Sequence, residues 1–201
     1  MELLVVIFVF TILLAGAIDI FVRAQQAQRK VAAVEKLHAD ARYLLQTLTQ
    51  SLQGGGIDFD CYEDLTGVSG QQELRCGKPI DLEAGNDQLA LKRFDGSIVR
   101  FGHELKSDKC PDEKSTPCLA ISDDNGQTWA VASSQGVKIN TLRFYITPAR
   151  SPFIKDDTNE YVADQQPKVT VVFDATAQIK GFKETANLSV QTTISSREYR
   201  R

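Results

Sequence analysis

The sequence predicts an α+β protein in which one long N-terminal helix, membrane-spanning in its first half, packs on an antiparallel β-sheet head. Three observations carry this expectation. Glu2 heads an otherwise uncharged run from Leu3 to Ile18. Between residues 31 and 52 apolar side chains recur three and four apart, the period of a helix with one buried face. Beyond Ile57 the pattern changes to short runs of β-branched and aromatic residues separated by turn signals.

The apolar run, continued through Ile20 and Phe21, extends over roughly 20 positions, the length that crosses a bilayer as a helix. A secretory signal peptide would show a basic start, a shorter apolar region and a small-residue cleavage site, so the segment reads as a span. A carboxylate at its head is costly in an apolar setting and marks Glu2 as a residue kept for a partner or a pathway. Arg23, Arg29 and Lys30 follow the span. By the positive-inside rule they favour the cytoplasmic side, a conflict that a basic leader before Glu2 would remove.

Val31, Val34, Leu37, Ala41, Leu44, Leu48 and Leu52 form the apolar stripe of the second half, with Arg29, Lys36, Asp40, Arg42 and Gln46 on other faces. Gly54-Gly55-Gly56 is expected to end the helix near Gln53, because glycine readily adopts the conformations that close a helix. A helix of some fifty residues is roughly 75 Å long. It needs lipid or neighbouring subunits to cover its first half and a sheet to cover its second. The expected divisions are 1–22 for the span or filament core, 23–53 for the amphipathic half, and 54–201 for the extracytoplasmic head.

In the head, the runs 89–94 and 97–101 flank Asp95-Gly96, a two-residue hairpin signal. The runs 118–122 and 128–132 flank Asp123-Asp124-Asn125-Gly126 in the same way, and later strands are expected at 137–147, 168–173 and 188–195. Short hairpin connections favour antiparallel pairing. The polar stretch from Pro148 to Pro167 is expected to be a long loop, either a place for recognition or simply a solvated connection.

A chain of 201 residues holds one sizeable core beyond the span, and a net charge of −3 gives no global attraction for nucleic acid. Lys92, Arg93 and Arg100, with Arg197, Arg200 and Arg201 near Phe94, Phe101 and Tyr199, have the residue types of a nucleic-acid patch. Asp95, Glu104 and Glu198 interrupt them and argue against it. The four cysteines, Cys61, Cys76, Cys110 and Cys118, lie beyond the span, where oxidation is expected. They allow three pairings, of which the sequence-near one, Cys61 with Cys76 and Cys110 with Cys118, is expected. Zinc is disfavoured, since no Cys-x-x-Cys spacing occurs and His38 and His103 stand apart.

Ser122-x-Asp124-x-Gly126-x-Thr128-Trp129 matches the Asp-box consensus of β-propeller proteins, a hairpin whose polar residues stabilise their own turn. Asp123 and Asp124, or Asp156 and Asp157, are the candidates for calcium, although the distal bidentate Glu of an EF-hand is missing. No other cofactor is expected. Asp58 and Asp60 read as two carboxylates on one strand face, exposed to solvent. No nucleophile motif, zincin motif or phosphate loop occurs, so the expectation is a protein without catalytic function.

Glu2-Leu3-Leu4-Val5-Val6-Ile7 resembles the mature start of type IV pilins and type II secretion pseudopilins, Phe-Thr-Leu-Ile-Glu-Leu-Leu-Val-Val-Ile, which follows a cleaved basic leader ending in Gly. The strict match covers Glu2 to about Ile7, while the layout of long helix and β-rich head fits along the whole chain. The resemblance implies that Glu2 pairs with the terminal amine of a neighbouring subunit and that Leu3, Leu4, Val5, Val6 and Ile7 pack in a filament core. It further implies prepilin peptidase, an assembly platform and other pilin subunits as partners. The implied location is the bacterial inner membrane with an extracytoplasmic head, and then a periplasmic or extracellular filament. Some pseudopilins hold calcium in a C-terminal loop. Met1 stands where the family has an aliphatic residue, so leader cleavage and N-methylation are expected only on a chain extended upstream. Thr11 and Asp19 stand where the family has a helix-loosening Gly and Pro. A comparatively large head with several loops favours a minor pilin or pseudopilin over a bulk subunit. The alternative is a single-pass anchored binding module, adhesive or DNA-capturing.

Overall fold

A computed structural model describes residues 2–62, 76, 78–104, 117–155, 159, 161, 165–179 and 185–196. One uninterrupted helix, α1, runs from Glu2 to Gln53, as expected. Its second half buries Ala33, Leu37, Ala41, Leu44, Leu48 and Leu52. Complete burial of a leucine contributes about 1.5–3 kcal/mol, so this stripe holds the helix on the head. The stripe departs from expectation at its start, where Ala33 is buried and Val31 is 55% exposed. Small Ala33 and Ala41 let the helix approach the sheet closely, which a valine would oppose.

The helix stops where foreseen. Gly54 N–H donates to the Gln50 carbonyl at 2.9 Å, and the chain enters strand β1, Gly55–Ile57, without a loop. β1 pairs antiparallel with β2, Gln88–Arg93. A Cβ on Gly55 would stand 2.2 Å from the Lys92 carbonyl oxygen, so only glycine permits this contact of backbone with backbone. Helix end and sheet edge are thereby locked together.

The head contains two antiparallel sheets where one was expected. The first is a five-stranded meander in chain order: β1, β2, β3 (Ile98–Glu104), β4 (Cys118–Ser122) and β5 (Ala130–Val131). The second comprises β6 (Val137–Thr147), β7 (Lys168–Gln178) and β8 (Thr185–Ser195). α1 packs on β7 and β8 and reaches β1 and β2. An isolated bridge between Asn86 and Phe144 joins the segment before β2 to β6, so one apolar core runs through helix and both sheets. Buried Asn86 also accepts from Asp81 N–H at 3.0 Å and donates to the Pro79 carbonyl at 2.8 Å, fixing the loop that leads to β2.

β6 begins and ends as expected, whereas β7 and β8 are longer than their sequence signals. Ala175, Ala177 and Ala186 have modest strand preference, but they are buried on the face beneath the helix, and packing overrides propensity. The turn between β2 and β3 has three residues, not two. Arg93 N–H donates to Ser97 O, Gly96 N–H donates to Arg93 O, and Gly96 has φ +86°, the bonding of a type I turn closed by a glycine bulge. β5 is confined to two residues because the turn before it extends to Thr128. Phe59–Cys61 is a single 3₁₀ turn rather than strand.

Cys61 and Cys76 form a disulfide across 15 positions, as expected. Cys118 is also disulfide-bonded, and Cys110 lies outside the described residues. Replacing Cys61 and Cys76 together by serine should lower stability by about 3 kcal/mol, the loop-closure value for a bridge of this span. Equilibrium urea unfolding of wild type and double variant, without reductant, measures the difference.

Candidate functional site: an uncovered helix on a fixed head

From Leu3 to Val22 every residue of the helix is exposed, and among the described residues nothing covers it. Its most apolar stretch is 0% buried, with Leu3 and Leu4 more than 70% exposed, and it is long and apolar enough to span a membrane. Leu3, Leu4, Val5, Val6 and Ile7 thus present their side chains outward, available to lipid or to other helices. Glu2 opens the helix, and its side chain lies outside what the structure describes.

Thr11 and Asp19, polar residues within this half, find their partners inside the helix. Thr11 Oγ1 donates back to the carbonyls of Ile7 and Phe8 at 3.1 and 2.8 Å, so its hydroxyl needs no partner from an apolar medium. Asp19 and Arg23, one helical turn apart, pair at 3.0 Å where the apolar stretch gives way to polar residues. Between Val22 and Ala33 the helix carries Arg23, Gln25, Gln26, Gln28, Arg29 and Lys30 and no buried side chain. That interval of about 15 Å holds the head clear of the apolar segment.

Two polar contacts fix the rotation of α1 on the head. Buried Asp40 accepts hydrogen bonds from both the N–H (2.8 Å) and the hydroxyl (2.5 Å) of Ser134. Lys36 Nζ donates to the neighbouring Gln135 carbonyl. Asp40 was assigned to a polar face by periodicity. It is buried because the connection from β5 to β6 folds over that face and offers it two donors, which burial of a carboxylate requires. Nothing in the helical pattern of α1 itself signals this contact.

Elsewhere the expected constellations resolve into local structure. Asp124 accepts from the Ser122 hydroxyl and from both N–H and hydroxyl of Thr128, while Gly126 N–H donates to Ser122 Oγ. These bonds hold the Asp124 carboxyl down to about 2 and make the Asp-box a self-supporting turn. The Trp129 ring lies against Gly102, where a Cβ would meet it at 3.1 Å. Asp123 pairs with Arg93 at 3.2 Å. Among the described residues no three His, Cys, Asp or Glu side chains converge as a metal would require. Asp156 and Asp157 lie outside those residues.

The described residues of the nucleic-acid patch weighed above, against which Asp95, Glu104 and Glu198 argued, do not share one exposed face. Arg100 is buried, donating to Asn125 Oδ1 at 2.8 Å, and Phe101 is fully buried, whereas Lys92 and Phe94 face solvent. Arg197, Arg200 and Arg201 are outside the described residues. Asp58 is buried rather than solvated, and Asp60 is exposed. His38 is exposed on α1; His103 is half-buried with Nε2 3.1 Å from the Ile139 carbonyl, and burial lowers its pKa. In the long loop after β6, Lys155 bridges to Tyr161 and sits 5.2 Å from its ring centroid. No family model matches the chain, and neither does any curated protein or solved structure.

Asp40→Ala leaves two donors of Ser134 without their acceptor and should cost about 1–3 kcal/mol, read from chemical denaturation. Asp124 generates a pH signature. Its folded pKa lies below the ordinary 3.8, so its contribution is complete above that value and is lost as pH falls toward about 2. Asp124→Asn should flatten the dependence of unfolding free energy on pH in that window and leave the slope above pH 5 unchanged.

Proposed function

We propose that this chain is a minor pilin or pseudopilin, a structural subunit of a type IV pilus or type II secretion filament, anchored in the inner membrane before assembly. The observation that carries this reading is the helix that passes without a break from a wholly uncovered apolar half into a half docked on the head. An apolar helix surface of that extent is unstable in water and requires either lipid or a bundle of like helices. Its first six residues have the Glu-Leu-Leu-Val-Val-Ile pattern described above. On this reading lipid covers the segment before assembly and neighbouring subunits cover it afterwards. Glu2 neutralises the terminal amine of a neighbour inside the low-dielectric bundle, where an unpaired charge is costly. The head, braced by Asp40 and Lys36, fixes the direction in which the apolar half projects. The chain's work is assembly, not catalysis.

The experiment places a basic, Gly-ended leader and the first mature residues before Glu2 and compares wild type with Glu2→Ala. Wild type should be processed and methylated and should appear in sheared filaments. Glu2→Ala should be at least tenfold depleted from that fraction while the head retains its circular dichroism and thermal unfolding. Equal incorporation of the two proteins would overturn the role of Glu2. Retention of processed wild type in the membrane alone would overturn the filament reading.

A further inference from the structure

β8 is the outer strand of the sheet that carries the helix. It pairs with β7 along its whole length, and among the described residues nothing pairs with its other side. Proteins shield such edges with charge, proline, bulges or brevity. β8 uses none of these: Thr185–Ser195 contains no charged residue, proline or glycine, and its register with β7 has no shift. Every second residue along it therefore presents backbone N–H and C=O groups outward.

A second feature lies alongside. The flank of α1 and Val190 enclose a groove of about 460 Å³, lined also by Ala41, Leu45, Thr49, His38 and Arg42. Ala41, Leu45 and Thr49, spaced by four, form one line on the helix. Leu188, Val190 and Ile194 alternate along β8 on one face and pack against the core while remaining only half-buried.

We infer that this edge receives an extended segment of a second, different protein, which adds a fourth strand beside β8 and seats alternate side chains in the groove. Unpaired strand groups select another extended backbone. A strand at the usual spacing of about 4.8 Å continues the sheet beneath the Ala41, Leu45 and Thr49 line. Its inward residues are small to medium and apolar. Its outward residues are uncharged and polar, to match Asn187, Ser189, Gln191 and Thr193. One inward carboxylate complements Arg42, which makes no ion pair among the described residues.

A second copy paired through its own β8 does not fit while both copies are anchored, and the outer side of β6 is already met by Asn86 at Phe144. Antiparallel pairing of two β8 edges is related by a two-fold axis normal to the sheet, which reverses every direction in the sheet plane. The helix lies along the sheet, so the two apolar halves would point opposite ways and could not enter one bilayer. Lipid does not fit either, because His38 stands about 24 Å along the helix beyond Val22. The inference requires only that α1 be a membrane anchor, and it is independent of filament assembly.

The test uses the full chain in lipid nanodiscs and a synthetic peptide, acetyl-Thr-Val-Thr-Val-Thr-Glu-Thr-Val-Thr-amide, at about 1 mM. The control peptide has proline in place of its second, third and fourth threonines. Hydrogen exchange should slow at least tenfold within Thr185–Ser195 with the first peptide, with no change from the control. Val190→Lys, which puts a charge in the groove, should abolish the effect. Thr49→Lys on the helix side serves the same purpose should the first variant fail to fold, and unchanged exchange in β7 reports folding. Absence of protection, or equal protection by the proline peptide, overturns the inference. So does a homodimer in native mass spectrometry that Val190→Lys disperses, since that would assign the edge to a second copy.

Discussion

A single helix must satisfy two incompatible surroundings, and the rest of the molecule is arranged around that requirement. Among the described residues nothing covers the first half of α1, while the second half buries one stripe, Ala33 to Leu52, against the head and leaves its other faces exposed. Helical hydrogen bonding is what makes the combination possible, because it satisfies the backbone internally in both media. The head supplies the remainder: a sheet with alanines beneath the helix, a loop that reaches up to Asp40, and a β1 that departs from the helix end with no slack. Each of these limits sliding or rolling of the helix, so the exposed half inherits a defined direction.

Periodicity made the helix, its end and most strands readable. The triple glycine stops α1 where expected, since Gly54 closes the helix and Gly55 must touch the backbone of β2. The Asp-box was equally readable, because every partner of Asp124 lies within four positions and the chemistry is local. The Cys61–Cys76 bridge belongs to the same class, being near in sequence.

What escaped the sequence depends on distant partners. Asp40 is buried by a loop 94 positions away. Arg100 is withdrawn from the surface by Asn125, and β7 and β8 extend through residues of modest strand preference because a helix lies over them. The joining of two sheets around one core likewise rests on tertiary contacts, among them the bridge of Asn86 to β6, which no local pattern announces. Of the uncovered apolar half, the composition was plain at once. Its exposure is a tertiary fact, seen in the lack of cover among the described residues.

The unbroken helix also has a mechanical meaning. Beyond Val22 it continues for about 46 Å to its C-terminus, with the head clamped to its distal part. A stiff shaft of that length acts as a lever. Tilting it by about 20°, ordinary for a membrane helix, sweeps the far end sideways by roughly 16 Å with no hinge bending anywhere in the chain. Forces that alter packing around the apolar half would thus register as displacement of the head, and the amplification is set by helix length alone.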